Sequence, residues 1–155
     1  MSQFQGRALL TGYGVGPALV SKTAINFGAA FGRSQNAIPG KRAVVNDRHH
    51  ELFKKNIKGT VLIFPACIGS TFTGMLLMQI MYKKEAPVAM IVRQADPLLI
   101  AGSVLSEVWF NCGIPIVEYD LEDLFSLVNT GDVVSVNGSN GTITIQTGKV
   151  SNKNQ

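Results

Sequence analysis

The sequence predicts an α/β domain of three layers (β/β/α), in which antiparallel β-ribbons stack on a parallel sheet that carries helices. Three observations predict this fold class: apolar runs alternate with helix-like stretches between residues 60 and 117, the first 22 residues have β-strand character, and a hairpin pattern returns near the C-terminus. Buried strands that alternate with helices across short links are typical of a parallel sheet with right-handed crossovers.

The N-terminal segment predicts a β-ribbon. We expect strands at 6–11 and 17–22, joined by a turn over the glycines of residues 12–16. This GxGxG pattern does not predict a dinucleotide site, because it leads into a strand, whereas the phosphates of a dinucleotide need the N-terminus of a helix. Residues 25–50 contain Asn, Gly, Ser, Pro and a few aromatics and predict a long loop. In a compact domain such a loop is usually either functional or packed against another element.

The rest of the chain predicts three buried strands, three helices and a closing hairpin. The buried strands are expected at 60–64, 87–92 and 113–117, and the two longer helices at 73–83 and 96–111. Asp96 is the expected N-cap of the second helix and Pro97 its first helical residue. A short helix at 121–128 and a hairpin with strands at 132–136 and 142–145 complete the domain.

Length and hydropathy predict one domain over residues 1–148, followed by a polar tail at 149–155. No apolar run approaches the roughly 18 residues of a membrane span, and residues 1–20 lack the pattern of a signal peptide. We therefore expect a cytoplasmic protein without a membrane partner.

Composition narrows the possible partners. Hydrophobic residues make up 46% of the chain and charged residues 15%, which fits equally a monomer with a well-filled core and a subunit with an obligate partner. The net charge is +4, but the basic residues are scattered and not interleaved with aromatics, so we expect no nucleic acid partner. Cys67 and Cys112 lack metal-ligand spacing and cannot supply the four thiolates of an iron–sulfur cluster. No metal or cofactor is expected to be bound by this chain alone.

The loop between the first buried strand and the following helix is the first candidate site. It contains Gly69, Ser70 and Thr71. In open α/β sheets ligands gather beyond the carboxyl ends of the strands, and free N–H groups at a helix start favour an anion. Two interpretations fit the position: Ser70 faces a substrate, with Gly69 and Thr71 beside it, or Ser70 and Thr71 cap the helix.

The second candidate is the cluster Asp47, Arg48, His49 and His50. Arg48 could bind a substrate carboxylate through two parallel hydrogen bonds, with Asp47 orienting it. The interpretation that we favour is structural: the cluster pins the long loop or meets a partner. His49 and His50 are adjacent and point in different directions, so they are poor joint metal ligands. Arg93 follows a buried strand at the same sheet edge as Ser70, and it either lines the pocket or is a solvated loop residue.

Six short segments occur together in a characteristic order and spacing over roughly residues 6–118. They are Gly6-Arg7-Ala8, Asp47-Arg48-His49-His50, Gly69-Ser70, Ala86-Pro87-Val88-Ala89, Asp96-Pro97 and Ile114-Pro115-Ile116-Val117. This combination resembles the small subunit of aconitase X, a family of the aconitase superfamily. The resemblance implies a swivelling β/β/α domain, a large subunit that carries an iron or iron–sulfur centre, and a catalytic serine at Ser70.

The resemblance also implies the reaction: a hydro-lyase removes water from a hydroxylated carboxylate, and this chain is inactive without its large subunit. Known members dehydrate cis-3-hydroxy-L-proline, the substrate that we favour, or mevalonate 5-phosphate. Ser70 would act as base, proton relay or clamp for the substrate carboxylate, since a serine hydroxyl is a poor base unless its alkoxide is stabilised. The chain departs from the family pattern at residues 71–74, where Phe72 could narrow the pocket or face the partner.

Two alternatives from other classes remain. The chain could be a phosphohistidine-carrying swivel domain that uses His49 or His50, or a non-catalytic assembly module. Fold similarity alone would not separate these possibilities, because function depends on the site.

Overall fold

The computed structural model describes residues 1–120 and 122–146. The predicted tail at 149–155 and the predicted domain end at 148 lie outside the described residues. Within them the chain forms eight strands and four α-helices: β1 (Ser2–Gln5), β2 (Arg7–Leu10), β3 (Tyr13–Val20), α1 (Phe27–Phe31), β4 (Val61–Phe64), α2 (Thr73–Tyr82), β5 (Ala89–Val92), α3 (Pro97–Phe110), β6 (Ile116–Glu118), α4 (Glu122–Leu127), β7 (Val133–Asn137) and β8 (Thr142–Gln146).

The strands form one mixed sheet in the order β1-β8-β7-β3-β4-β5-β6-β2. Strands β3, β4, β5 and β6 run parallel, whereas β1, β8, β7 and the first part of β3 pair antiparallel. Strand β3 belongs to both halves, because its residues 13–17 pair with β7 and its residues 18–20 pair with β4. A single long strand therefore connects the parallel half of the sheet to the antiparallel half.

Alternating side chains on the central strands produce two cores. Leu62 and Phe64 of β4 pack with the helices in one core, and Val61 and Ile63 pack with β7 and β8 in the other. Successive residues of a strand point to opposite faces, so the parallel strands form a middle layer with helices on one side and antiparallel strands on the other. The predicted three-layer β/β/α fold is confirmed.

The predicted N-terminal ribbon is wrong. Strand β2 pairs antiparallel with β6 at the far edge of the sheet and does not pair with β3. The GxGxG pattern is not a turn, because Gly14 and Gly16 lie within β3. A methyl group on Gly14 would lie 2.2 Å from the Val88 carbonyl oxygen, and one on Gly16 would lie 2.7 Å from the Gly59 carbonyl oxygen. These glycines provide space for neighbouring main chain.

The segment at 25–50 is less irregular than predicted. It contains α1, which Asn26 caps by accepting a hydrogen bond of 3.1 Å from the Ala29 N–H, and a short 3₁₀ helix at Arg33–Asn36. Farther along, the Glu85 carboxylate accepts the N–H groups of Gly40 and Arg42 at 2.8 Å each. The loop is therefore tied to the end of α2.

The strands and helices predicted between residues 60 and 146 are confirmed, with small shifts at their ends. Asp96 caps α3 by accepting the N–H groups of Leu98 and Leu99, and Pro97 begins that helix, as expected. In the described part of the chain, none of the helices is long and apolar enough to cross a membrane.

Candidate functional site

The carboxyl ends of β3, β4, β5 and β6 meet at one edge of the sheet, which we call the carboxyl edge. The loops at 21–26, 65–72 and 93–96 emerge there. Ser70 lies in the second of these loops, immediately before α2. This is the edge at which open α/β sheets bind ligands.

The Ser70 side chain is half-buried, and its hydroxyl is fixed locally. Its Oγ accepts a hydrogen bond of 3.2 Å from the Phe72 N–H, and its carbonyl oxygen accepts one of 2.9 Å from Thr73 Oγ1. The N-cap residue of α2 is Phe72, and no side chain caps this helix. The interpretation of Ser70 and Thr71 as helix caps is therefore wrong. Gly69 precedes Ser70 with a φ of +71°, a conformation that favours glycine.

The loop that carries Ser70 is attached to the start of α1. The Ile25 N–H donates to the Ala66 carbonyl at 3.0 Å, and the Ile68 N–H donates to the Ile25 carbonyl at 3.0 Å. These two bonds bring Asn26 and Gly28, which the sequence analysis missed, next to Ser70. An Asn immediately before Phe-Gly-Ala-Ala-Phe is a helix-cap pattern and could have indicated α1, but nothing in the sequence indicates its contact with Ser70.

The Asp47 cluster forms a local turn. Asp47 Oδ1 accepts the His49 N–H at 3.0 Å, which is a turn that Asp side chains commonly make. Within the described ranges Asp47 forms no salt bridge with Arg48, so the expected Asp–Arg contact is absent. Arg48 and His49 are exposed, and no hydrogen bond in the described part of the chain joins Ser70 to the Asp47 cluster.

Glu51, which follows this turn, connects it by hydrogen bonds to the residues after β3. The Glu51 carboxylate accepts hydrogen bonds from Ser21 Oγ at 2.9 Å, the Thr23 N–H at 2.9 Å and Thr23 Oγ1 at 3.1 Å, and also from the Lys22 N–H. Partial burial opposes ionisation of Glu51, but these hydrogen bonds outweigh it and lower its pKa. The sequence does not indicate this network, because no spacing rule links residues 21–23 to Glu51.

The His50 ring is engaged through both nitrogens. Its Nδ1 accepts the Leu52 N–H at 3.1 Å, and its Nε2 lies 3.1 Å from Thr23 Oγ1. A neutral ring in this geometry donates from Nε2 to the threonine hydroxyl. His50 is therefore a structural side chain of the turn, which disfavours it as the carrier of a phosphoryl group.

Arg93 lies at the carboxyl edge, as expected, but in a separate cleft. Its guanidinium stacks 5.0 Å from the centre of the Phe125 ring, and its Nη1 lies 3.6 Å from a carboxylate oxygen of Glu122. Arg93 also lines a cleft of about 540 Å³ together with Arg7, which forms an ion pair with Glu118. Ser70 does not line this cleft.

The thiols do not fit an iron–sulfur cluster. Cys67 follows β4 and Cys112 precedes β6, so the two lie at opposite edges of the parallel strands. Burial raises the pKa of the Cys67 thiol to about 12, with a further contribution from the Asp96 charge, and burial also raises the pKa of Cys112. A cluster needs thiolates, which these surroundings oppose. Among residues 1–120 and 122–146 no group of three or more His, Cys, Asp or Glu side chains is arranged to hold a metal ion.

Comparison with known proteins identifies the family. The model of the aconitase X swivel domain matches residues 3–145. The chain belongs to this family. The aconitase X resemblance carried by residues 6–118 is therefore confirmed, and the chain is a small subunit of an aconitase X-type hydro-lyase, which implies a large-subunit partner.

Individual relatives match along nearly their whole length. The chain is 38% identical over 141 residues to the phosphomevalonate dehydratase small subunit of Methanocella arvoryzae, covering 91% of this chain and 97% of the relative. It is 32% identical to the phosphomevalonate dehydratase small subunit of Methanosarcina mazei, covering 91% and 89%. The crystal structure of Thermococcus kodakaraensis aconitase X in its holo-form is 24% identical and superposes with a TM-score of 0.78 over 94% of this chain and 99% of that chain. That structure has the same fold.

Proposed function

We propose that this chain, together with a large subunit in the cytoplasm, dehydrates mevalonate 5-phosphate. The observation that carries this proposal is the identity of 38% to a phosphomevalonate dehydratase small subunit over 91% of this chain. A second relative with the same name supports it. The substrate favoured from the sequence alone, cis-3-hydroxy-L-proline, becomes the alternative, because neither of these relatives carries that name.

The reaction is an elimination of water beside a carboxylate. A base removes a proton from the carbon next to the carboxylate, the hydroxyl leaves the neighbouring carbon, and the products are an unsaturated acid and water. We assign to Ser70 the role of base, proton relay or carboxylate clamp. Its Oγ lies at the carboxyl edge and already accepts the Phe72 N–H at 3.2 Å. Such a donor stabilises negative charge on the oxygen, but an alkoxide needs further cationic support.

We propose that five residues near the carboxyl edge contact the substrate: Gly69, Thr71, Arg48, Asp47 and His49. Arg48 is exposed and forms no salt bridge within the described ranges. A guanidinium that is not already paired suits a phosphate or carboxylate, which it binds through two parallel hydrogen bonds. Asp47, by shaping the turn through the His49 N–H, would hold Arg48 in place.

We propose that the large subunit carries the iron or iron–sulfur centre that the family resemblance implies. The protonated state favoured for the thiols of this chain supports that division. The outer faces of α2 and α3 support a protein partner, because they expose large apolar side chains: Phe72, Met75, Tyr82, Leu98, Val104, Val108, Trp109 and Phe110. Exposed apolar surface of this extent is typical of interaction sites.

A side-by-side assay tests the substrate. The chain would be purified with its large subunit and given mevalonate 5-phosphate or cis-3-hydroxy-L-proline at equal concentrations. We expect kcat/KM for the phosphorylated substrate to be higher by about 100-fold or more, because a site built for a charged group strongly rejects substrates that lack it. Dehydration of hydroxyproline alone would support the alternative, and full activity of the isolated chain would contradict the subunit role.

The Ser70→Ala variant tests the catalytic role. We expect kcat of the assembled enzyme to fall by about 10²–10⁴-fold, which is the usual contribution of a positioned proton-transfer group. Ser139→Ala, which removes an exposed hydroxyl from the β7–β8 turn, is the matched control and should retain full activity. Wild-type turnover by Ser70→Ala would remove Ser70 from the mechanism.

A further inference from the structure

The Ser70 hydroxyl lies directly against the main chain at the start of α1. A methyl group on Gly28 would lie 2.9 Å from Ser70 Oγ and 3.4 Å from Ser70 Cβ. A carbon and an oxygen in ordinary contact are farther apart than 2.9 Å. Gly28 does not have a positive φ, so its conformation suits any residue. What requires glycine here is chiefly the space that the Ser70 hydroxyl occupies, and Asn26 Oδ1 would lie 3.2 Å from the same methyl group.

Asn26 lies beside Gly69, the residue before Ser70. Its Oδ1 accepts the Ala29 N–H at 3.1 Å and so caps α1. Its Nδ2 faces Gly69, because a methyl group on Gly69 would lie 2.9 Å from that nitrogen. One side chain therefore caps α1 and lies beside Gly69, the residue of positive φ that precedes Ser70.

Main-chain hydrogen bonds fix the register of this contact. Ile25 bonds to both Ala66 and Ile68 at 3.0 Å, so the loop after β4 cannot slide along the start of α1. From the other side, the Phe72 N–H donates to Ser70 Oγ. The hydroxyl is thus held between the Phe72 amide and the Gly28 main chain.

We infer that Asn26 and Gly28 form a seat that positions the Ser70 hydroxyl for reaction. Gly28 leaves the space for Oγ, and Asn26 occupies the space beside Gly69. They act through Ser70 and are positioning residues. The catalytic consequence rests on the role proposed above for Ser70, whereas the seat itself rests on the contacts alone. Misplacing a reacting group by about 1 Å can lower a rate by about 10²-fold, so small changes in the seat should have large effects.

Gly28→Ala tests the seat in the assembled enzyme. The added methyl group meets the end of the Ser70 side chain, and rotation of the hydroxyl away from its position is the simplest relief. We expect kcat to fall by about 10- to 100-fold with KM within about 2-fold of wild type. Asn26→Ser keeps a capping oxygen but removes the amide beside Gly69, and it should give a smaller loss of kcat. Ala29→Ser, at the exposed next position of α1, should leave both constants unchanged.

A thermal double-mutant cycle supplies a readout independent of turnover. Gly28→Ala should lower Tm, and the loss should be smaller by about 2 °C or more when Ser70→Ala has removed the Oγ that the methyl meets. Equal losses in both backgrounds would overturn the seat, and so would wild-type kcat in Gly28→Ala when Ser70→Ala has lost activity. If Gly28→Ala does not fold, a folded double variant supports the seat and an unfolded one overturns it. Full activity of Ser70→Ala would instead refute the proposed role of Ser70, and the cycle would still decide the seat.

Discussion

The Cys67 thiol is held in its protonated form by its surroundings. It packs against the core between the parallel strands and the helices, which we call the helix-side core. Burial together with the Asp96 charge raises its pKa to about 12. The thiolate is the reactive species, so at pH 8 iodoacetamide should label Cys67 in the folded chain about a hundredfold more slowly than free cysteine. Mass spectrometry of timed samples measures this rate.

A Cys112→Ser variant leaves Cys67 as the single thiol and simplifies the measurement. Unfolding this variant in urea should restore the rate of free cysteine, because the burial that raises the pKa is lost. Rapid labelling of Cys67 in the folded variant would show that its surroundings do not suppress the thiolate.

At the same scale, the sequence indicates the place of Ser70 but not its surroundings. A strand followed by a glycine-containing loop and a helix is a local pattern, so it predicts where Ser70 lies. The contact with Gly28 joins segments far apart in sequence and depends on the Ile25 pairing. Asp47 illustrates a different limit: its charge suggests an ion pair with Arg48, but its side chain accepts the His49 N–H instead.

The glycines of β3 give a test at the scale of the element. Because Gly14 lies against the Val88 carbonyl oxygen, Gly14→Ala should lower the free energy of unfolding by about 3 kcal/mol, at the upper end of ordinary overpacking. Urea denaturation measures the change. Val15→Ala is the control, because Val15 is the next residue and is 47% exposed, and it should cost less than about 1 kcal/mol. Equal costs would mean that the glycine pattern has no packing role.

Glu85 anchors the loop between the 3₁₀ helix and β4. It is 2% exposed and accepts hydrogen bonds from the Gly40 N–H, the Arg42 N–H and the Arg42 guanidinium. Burial opposes ionisation of Glu85, but these bonds outweigh it and lower its pKa. Glu85→Gln replaces charged hydrogen bonds with weaker neutral ones, so it should reduce the free energy of unfolding at pH 7 by about 2 kcal/mol.

The pH dependence follows from the direction of this pKa shift. A carboxylate with a lowered folded-state pKa stabilises the fold fully above its unfolded-state pKa of about 4.5, and it loses that contribution as pH falls through the folded-state value. The difference between wild type and Glu85→Gln should therefore shrink between pH 5 and pH 3 in urea titrations. A difference that is constant over this range would contradict a charged anchor.

Strands and helices that are signalled by their own residues could be predicted from the sequence, whereas strand pairings that depend on distant segments could not. The apolar run of β4 and the Asp-Pro start of α3 are local signals, and both predictions are confirmed. The predicted pairing of β2 with β3 is wrong, because neighbours in sequence were assumed to pair, whereas β6 offers β2 its partner. Glycines usually mark turns, and only the approach of Val88 and Gly59 reveals that those of β3 lie in a strand.

The middle layer of the molecule joins its two cores. Met90 and Ile91 are adjacent in β5 and fully buried, yet Met90 belongs to the helix-side core and Ile91 to the core against β7 and β8. Because β3 continues from one half of the sheet into the other, the two halves share a strand, and neither can unfold without breaking the pairing of β3. The whole domain should therefore unfold as one unit, as single domains of this size usually do.

Paired substitutions in β5 test this cooperativity. Met90→Ala and Ile91→Ala should each lower the free energy of unfolding by about 2–5 kcal/mol, the range for large buried aliphatic side chains. Val108 is 70% exposed, so the control Val108→Ala should change the free energy of unfolding by less than about 0.5 kcal/mol. Circular dichroism follows the helices, and hydrogen exchange follows the amides of β7 and β8. Each core variant should lower the stability measured by both signals equally, because β5 contributes side chains to both cores. If Ile91→Ala accelerated exchange in β7 and β8 while the helices kept their wild-type midpoint, the two layers would be separate folding units, and the carboxyl edge with its Ser70 loop would depend on the helix-side core alone.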